Sequence, residues 1–154
     1  MADYIKDIRA VLGNQRIILV GAAVFIHKDG KLLMQKRLDN GFWMGTSGGY
    51  MELGETVEET AKRELLEETG LTANSLELLG IMSGKDTFYT YPNGDMVAVV
   101  DAVYLCEDFS GEMAAQTDEV AELQWFDINN MPDNINPPSS SGLKKCLEVL
   151  RNRR

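Results

Sequence analysis

Histidine is nearly missing from this sequence. His27 is the single one, and it falls beside a turn between two strands. At that place it reads as structural, which argues against a Ser-His-Asp or Cys-His nucleophile. Cysteine is scarce too. Cys106 and Cys146 stand apart with no CxxC spacing, so they read as reduced, packed thiols of a cytoplasmic protein. No apolar run approaches the roughly 20 residues that a membrane-spanning helix needs. The first residues, MADYIKDIRA, carry acids and no apolar core, so they do not read as a signal peptide. Positive charge is also short. Fifteen Lys and Arg face 24 Asp and Glu, a net charge of −9. Gripping duplex nucleic acid by its phosphates needs a basic face, so neither duplex nor membrane is an expected partner. A small phosphorylated substrate stays open, because a bound cation and a few local basic groups can reverse the field inside one pocket.

What is present is an ordinary globular composition. With 154 residues, 44% apolar and 25% charged, the chain 1–154 reads as one domain with a real core. Its organising stretch is Gly49 to Leu71, GYMELGETVEETAKRELLEETGL, rich in glutamate without a single aspartate. Thr56 is a good N-cap, and Glu59 three residues later completes a capping box. Gly70 suits the C′ position. A helix over Val57–Thr69 follows. On a 3.6-residue period Val57, Ala61, Glu64 and Glu68 share one stripe, with Leu65 beside them. The stripe begins apolar and turns acidic. Glu67 lies one position round, so three carboxylates at i, i+3 and i+4 come within reach of one point. Such charges repel, and Arg63 alone does not neutralise them. A hard divalent cation would, and an all-oxygen set without histidine favours Mg²⁺ or Mn²⁺ over zinc. Glu52, Glu58 and Glu59 read as solvated or capping residues.

Gly49, five residues, Glu55, seven residues, Arg63-Glu64-Leu65, one residue, Glu67-Glu68, one residue, Gly70-Leu71 resembles the Nudix box at every fixed position. The resemblance runs from about Ile17 to Pro132. It implies an α/β/α sandwich, a mixed β-sheet flanked by helices. It also implies Glu64, Glu67 and Glu68 as metal ligands, with the Gly48 carbonyl as a further one, and Arg63 with Glu55 as the pair that orients them. The proton acceptor for water in this family is a box glutamate or a carboxylate from a later loop; Glu119 is the downstream candidate, ahead of Glu112 and Asp118. Arg37, at a strand end beside the glycine loop, is a candidate for a substrate phosphate, and Tyr89 for a substrate base. The family's usual proline before the glycine pair is replaced here by Thr46-Ser47, which implies a less rigid loop.

Elsewhere the chain reads in order as follows. Asp3–Leu12 is an amphipathic helix with Ile5, Ile8 and Leu12 inward. Arg16–His27 is a strand buried on both faces, and Lys31–Arg37 is its hairpin partner. Ser75–Gly84 is a strand, Lys85–Tyr91 an alternating aromatic segment, and Pro92–Asp95 a turn. Met96–Cys106 is a buried strand interrupted by Asp101, and Asp118–Asp127 a last strand. Pro132–Gly142 resembles a linker, and Leu143–Asn152 a closing helix with Leu143, Leu147 and Leu150 inward.

The expected function is Mg²⁺- or Mn²⁺-dependent hydrolysis of a phosphoanhydride in a nucleoside diphosphate linked to another moiety. Nucleotide sugars, nucleoside triphosphates and dinucleoside polyphosphates all fit. The sub-motifs of coenzyme A and NADH pyrophosphatases are absent, as is the proline after the box of many ADP-ribose hydrolases. Tyr89 stands 18 residues after Leu71, near the spacing of dinucleoside polyphosphate hydrolases. A non-catalytic nucleotide-sensing module is the alternative from another class, and an RNA 5′-end pyrophosphohydrolase a third. The two terminal helices offer apolar faces to the sheet or to a homodimer.

Overall fold

A computed structural model describes residues 3–114 and 120–153. In chain order the elements are α1 (Tyr4–Leu12), β1 (Ile17–Lys28), β2 (Lys31–Arg37), β3 (Trp43–Met44), β4 (Ser47–Tyr50), α2 (Val57–Thr69), β5 (Thr72–Ala73) and β6 (Glu77–Met82). A 3₁₀ turn at Lys85–Thr87 precedes β7 (Phe88–Thr90), β8 (Met96–Cys106), β9 (Phe109–Ser110), β10 (Val120–Asp127) and α3 (Pro137–Asn152).

The main sheet runs β10-β2-β1-β8-β6. It is mixed. β1 and β8 lie parallel from Ile17 opposite Val97 to Ile26 opposite Cys106, and their neighbours are antiparallel. The other edge of β1 is shared. β2 takes Ile26–Lys28, and β4 takes Gly21–Val24. Two different segments thus share the same edge of one strand.

Burial on both faces explains the nearly unbroken apolar run of β1. Alternate residues point to opposite faces. Ala22, Val24 and Ile26 pack with Ala61 and Leu65 of α2. Phe25 packs with Val103, Leu105 and, from α3, Leu143, Cys146 and Leu150. One helix on each face gives the expected sandwich. A third cluster, Leu19, Val97 and Val99, is covered by Tyr4 and Ile5 of α1. α1 therefore leans on the sheet through its first turn; Leu12, expected inward, is exposed. Both cysteines are buried and free, and burial pushes their thiols up, to about 11 for Cys106 and about 12 for Cys146.

The segment that resembles a linker is a correction. Pro137–Gly142 forms the first turns of α3, which starts six residues before the expected Leu143. Pro137 and Pro138 sit at the helix start, where a missing N–H costs nothing and the fixed φ suits the helix. Gly142 follows because the helix approaches β8 closely there. A Cβ on it would lie 3.2 Å from Val103 Cγ2. The strand expected over Ser75–Gly84 is shorter, Glu77–Met82.

Thr46 joins β1 to β2 from the inside. Its hydroxyl accepts from Ile26 N at 2.8 Å and donates to Leu33 O, with Thr46 fully buried. Ser47, its neighbour, has a buried Oγ with no hydrogen-bond partner among the described residues. The two hydroxyls therefore make opposite predictions. Thr46→Val should lower unfolding stability by about 1–3 kcal/mol, because it orphans a buried N–H and a carbonyl. Ser47→Ala should leave it equal or higher, by up to about 1 kcal/mol. Urea titrations of both variants check this.

Candidate active site

α2 carries the acidic residues. Its boundaries match the sequence reading, fixed at one end by the reciprocal Thr56–Glu59 capping box and at the other by Gly70 in the left-handed region at φ 80°. Ala61 and Leu65 anchor the helix to the sheet. Glu64 and Glu68 then point along the sheet margin toward β4, whose glycines admit them. A Cβ on Gly49 would lie 2.3 Å from Glu64 Cδ. Only a residue without a side chain lets that carboxylate lie against the strand.

Arg63 gathers the acids. Its Nε donates to Glu55 Oε2 at 2.6 Å and its Nη2 to Glu55 Oε1 at 2.9 Å, a two-pronged pair. Nη1 donates to Glu64 Oε1 at 2.7 Å and to Glu67 Oε2 at 3.3 Å. Nη2 also reaches Tyr50 O at 3.1 Å, pinning β4 to the helix. Glu55 accepts further from Glu52 N and Thr60 Oγ1. The guanidinium holds the Glu55 carboxyl far below its usual range, at about 2. The same pair raises the pKa of Arg63.

Glu68 is held differently. It is 4% exposed, and its Oε1 accepts from Gly48 N at 3.1 Å and Gln35 Nε2 at 2.9 Å. Gln35 also donates to Thr46 O and is itself buried. The sequence reading missed this residue. The available signal was an amide directly after Leu32, Leu33 and Met34 in a buried strand. Gly48 lies opposite Ala23, at a ladder position whose polar groups point away from β1. Its N–H therefore meets Glu68, and its carbonyl faces the same side.

These groups line one cleft of about 720 Å³, shared by Gly48, Gly49, Glu64, Glu67 and Glu68 with Arg37, Tyr50, Tyr91 and Asp101. Glu64 is 17% exposed and Glu67 42%. Among the described residues, no three acidic, histidine or cysteine side chains stand close enough to form a ready metal cage. Arg63 holds Glu64 and Glu67 on one nitrogen, while the Gly48 and Gln35 amides hold Glu68 separately. All three nevertheless open onto the same space with hard oxygen donors, as a Mg²⁺ or Mn²⁺ site requires.

The other candidates divide. Arg37 lines the cleft, clamped by Asp39 at 2.8 and 2.6 Å. Burial opposes its charge, yet that pair more than offsets burial and its pKa rises. Tyr89 does not line the cleft. Its hydroxyl accepts from Asn40 Nδ2 at 3.0 Å, and its ring packs edge-on against Tyr91. Tyr91 is the aromatic that reaches the cleft, its hydroxyl 2.6 Å from that of Tyr50. Glu119 lies outside the described residues.

Two measurements test this arrangement. Gly49→Ala should displace Glu64 or β4 and lower unfolding stability by about 1–3 kcal/mol, since a new Cβ forces strain into a filled site. The Glu55–Arg63 pair also makes stability depend on pH. A carboxyl whose folded pKa is depressed contributes stability above its unfolded pKa and loses it as pH falls. The loss therefore runs from the ordinary carboxyl value of 4.5 down to about 2. Glu55→Gln should cost about 1–2 kcal/mol at pH 7, less than the shift alone implies because solvent screens the pair. It should also flatten the profile below pH 4.5.

A family model described as NUDIX domain matches residues 18–146. The chain is 39% identical over 109 residues to an ADP-ribose pyrophosphatase of Methanocaldococcus jannaschii, covering 70% of this chain and 60% of that protein. It is 31% identical over 110 residues to the NAD-capped RNA hydrolase NudC of Haemophilus influenzae, covering 71% of this chain and 38% of that one. The chain thus spans less than two thirds of the length of both. Among solved structures, a MutT NUDIX hydrolase from Burkholderia pseudomallei superposes with a TM-score of 0.71 at 28% identity, covering 84% of this chain and 98% of that one. With a family match over most of its length and relatives above 30% identity, this chain belongs to the Nudix family.

Proposed function

We propose that this protein hydrolyses the phosphoanhydride bond of a nucleoside diphosphate linked to another moiety, with ADP-ribose the first substrate to test. The observation that carries the reading is the Arg63 clamp. One guanidinium aligns Glu55, Glu64 and Glu67 beside a buried Glu68, at one end of a cleft large enough for a nucleotide. ADP-ribose comes first because the Methanocaldococcus relative is named for it.

The cleft's charge supports a metal. A pyrophosphate brought here meets carboxylates, and the described guanidiniums that line the cleft are already engaged. Arg9 donates to Gln15 O and Met96 O, Arg37 is clamped by Asp39, and Arg63 by the glutamates. Glu64, Glu67 and Glu68 would hold Mg²⁺ or Mn²⁺, with the Gly48 carbonyl a fourth oxygen. That ion would neutralise phosphate oxygens and lower the pKa of a water. This chain's own residues then orient the substrate. Arg37, which lines the same cleft, would take the second phosphate by giving up its pair with Asp39. Attack of water at one phosphorus breaks the bridging P–O bond. Two phosphate monoesters and a proton leave.

Product analysis with ADP-ribose, nucleotide sugars, nucleoside triphosphates and dinucleoside polyphosphates tests the reading. AMP and ribose 5-phosphate should appear with Mg²⁺ or Mn²⁺ and cease with chelator. Glu67→Gln and Glu68→Gln should each lower kcat by about 10²-fold or more, the scale of losing a charge-stabilising group, while thermal unfolding shifts little for the more exposed Glu67. A folded protein that turns over none of these with either ion would refute the proposal. Tight nucleotide binding without turnover would mark it as a sensing module instead.

A further inference from the structure

Asp101 interrupts an apolar strand face for no structural gain. Along β8, Val97, Val99, Asp101, Val103 and Leu105 point to one side, and the four apolar members are buried. Asp101 has no hydrogen-bond or ion-pair partner among the described residues, and burial pushes its carboxyl up to about 7. A partly enclosed carboxyl without a partner destabilises a fold. A valine would fit the pattern better.

Its position indicates what it is for. Asp101 lies opposite Gly21 of β1, and Gly21 lies opposite Tyr50 of β4. A Cβ on Gly21 would lie 2.8 Å from Gly49 O, 3.4 Å from Asp101 Oδ1 and 3.5 Å from Tyr50 Cδ1. Glycine is needed there because the β4 backbone comes so close, and the Asp101 carboxyl and the Tyr50 ring flank that position. All three residues line the cleft. Alternation along β4 separates this place from the metal end. Gly49 faces α2 and Glu64, whereas Tyr50 faces the opposite side of the sheet with Asp101. Asp101 is therefore not a ligand for an ion held by the box glutamates. It lines the part of the cleft away from those glutamates.

We propose that Asp101 is a specificity-determining residue that accepts a hydrogen bond from the N–H edge of the substrate's nucleobase, whose ring lies over Gly21 beside Tyr50. A base fits this place better than a sugar. The flanking surface is the aromatic Tyr50, backed by the largely buried Leu19, Val97 and Val99 under α1, which suits a flat ring face and would strand ribose hydroxyls. A single acceptor at the margin then selects bases that carry a donor, because a base without one leaves the carboxyl unpaired. The inference rests on the proposed nucleotide substrate, but its test reads binding rather than turnover.

Calorimetry with AMP, purine riboside 5′-monophosphate (which lacks the 6-amino group) and 2′-deoxy-AMP provides that test. The unmodified protein should bind AMP about tenfold or more tighter than the purine nucleotide, the scale of one hydrogen bond to a charged group. It should bind 2′-deoxy-AMP within about threefold of AMP, since no hydrogen bond is lost. Asp101→Val should bring AMP and the purine nucleotide to equal affinity. Asp101→Asn, which keeps a carbonyl acceptor, should retain the preference. Equal binding of the first pair by the unmodified protein overturns the inference, as does no AMP binding, a preference that survives Asp101→Val, or a loss confined to the 2′-deoxy ligand. The first comparison needs no variant, so misfolding cannot mask it. An inert enzyme that still discriminates the pair would separate this inference from the hydrolase reading.

Discussion

One guanidinium makes the acidic end of this molecule possible. Four carboxylates on a short loop and one helix face would repel each other, and partial burial would sharpen the repulsion. Arg63 answers Glu55 with two parallel bonds and Glu64 and Glu67 with a third donor. Its bond to Tyr50 O fastens the β4 backbone to the same point. The clamp is structural and preparatory together: it lets the acids coexist and fixes where they aim. Lysine, a point charge without the planar fork, would not reproduce this geometry.

The clamp works because the sheet is split. β1 gives one stretch of its edge to β2 and another to β4, so the glycine loop is itself a strand with one face toward α2 and the other toward the open side. Gly49 removes the side chain that would collide with Glu64. Gly48 turns its amide to Glu68. Thr46 ties the loop into the core in the absence of the family's usual proline. The expected loss of rigidity is thus offset by a buried hydroxyl with two partners.

The Nudix relationship was legible because the box is local: its spacing reflects helix period, caps and a fixed loop length, and all three act between near neighbours. The same locality explains why α2, β2 and β8 begin and end where the sequence places them. What the sequence did not show lies where neighbours in space are far apart in sequence. Pro137 and Pro138 resemble a linker until the helix they start is seen packed through Gly142 on Val103. Tyr89 and Tyr91 are indistinguishable by composition, and only the folded chain places Tyr91 on the cleft. Gln35 is an unremarked polar residue until Glu68 arrives from another element.

The sequence by itself determined the acidic helix, its caps, the guanidinium one turn from its partners and the family those residues mark, since each depends on contacts within a few residues along the chain. The tertiary structure alone decided that an amide in β2 holds Glu68, and that Asp101 meets Gly21 and Tyr50 at the cleft. Those meetings depend on strand register across the sheet, which no short stretch of sequence encodes.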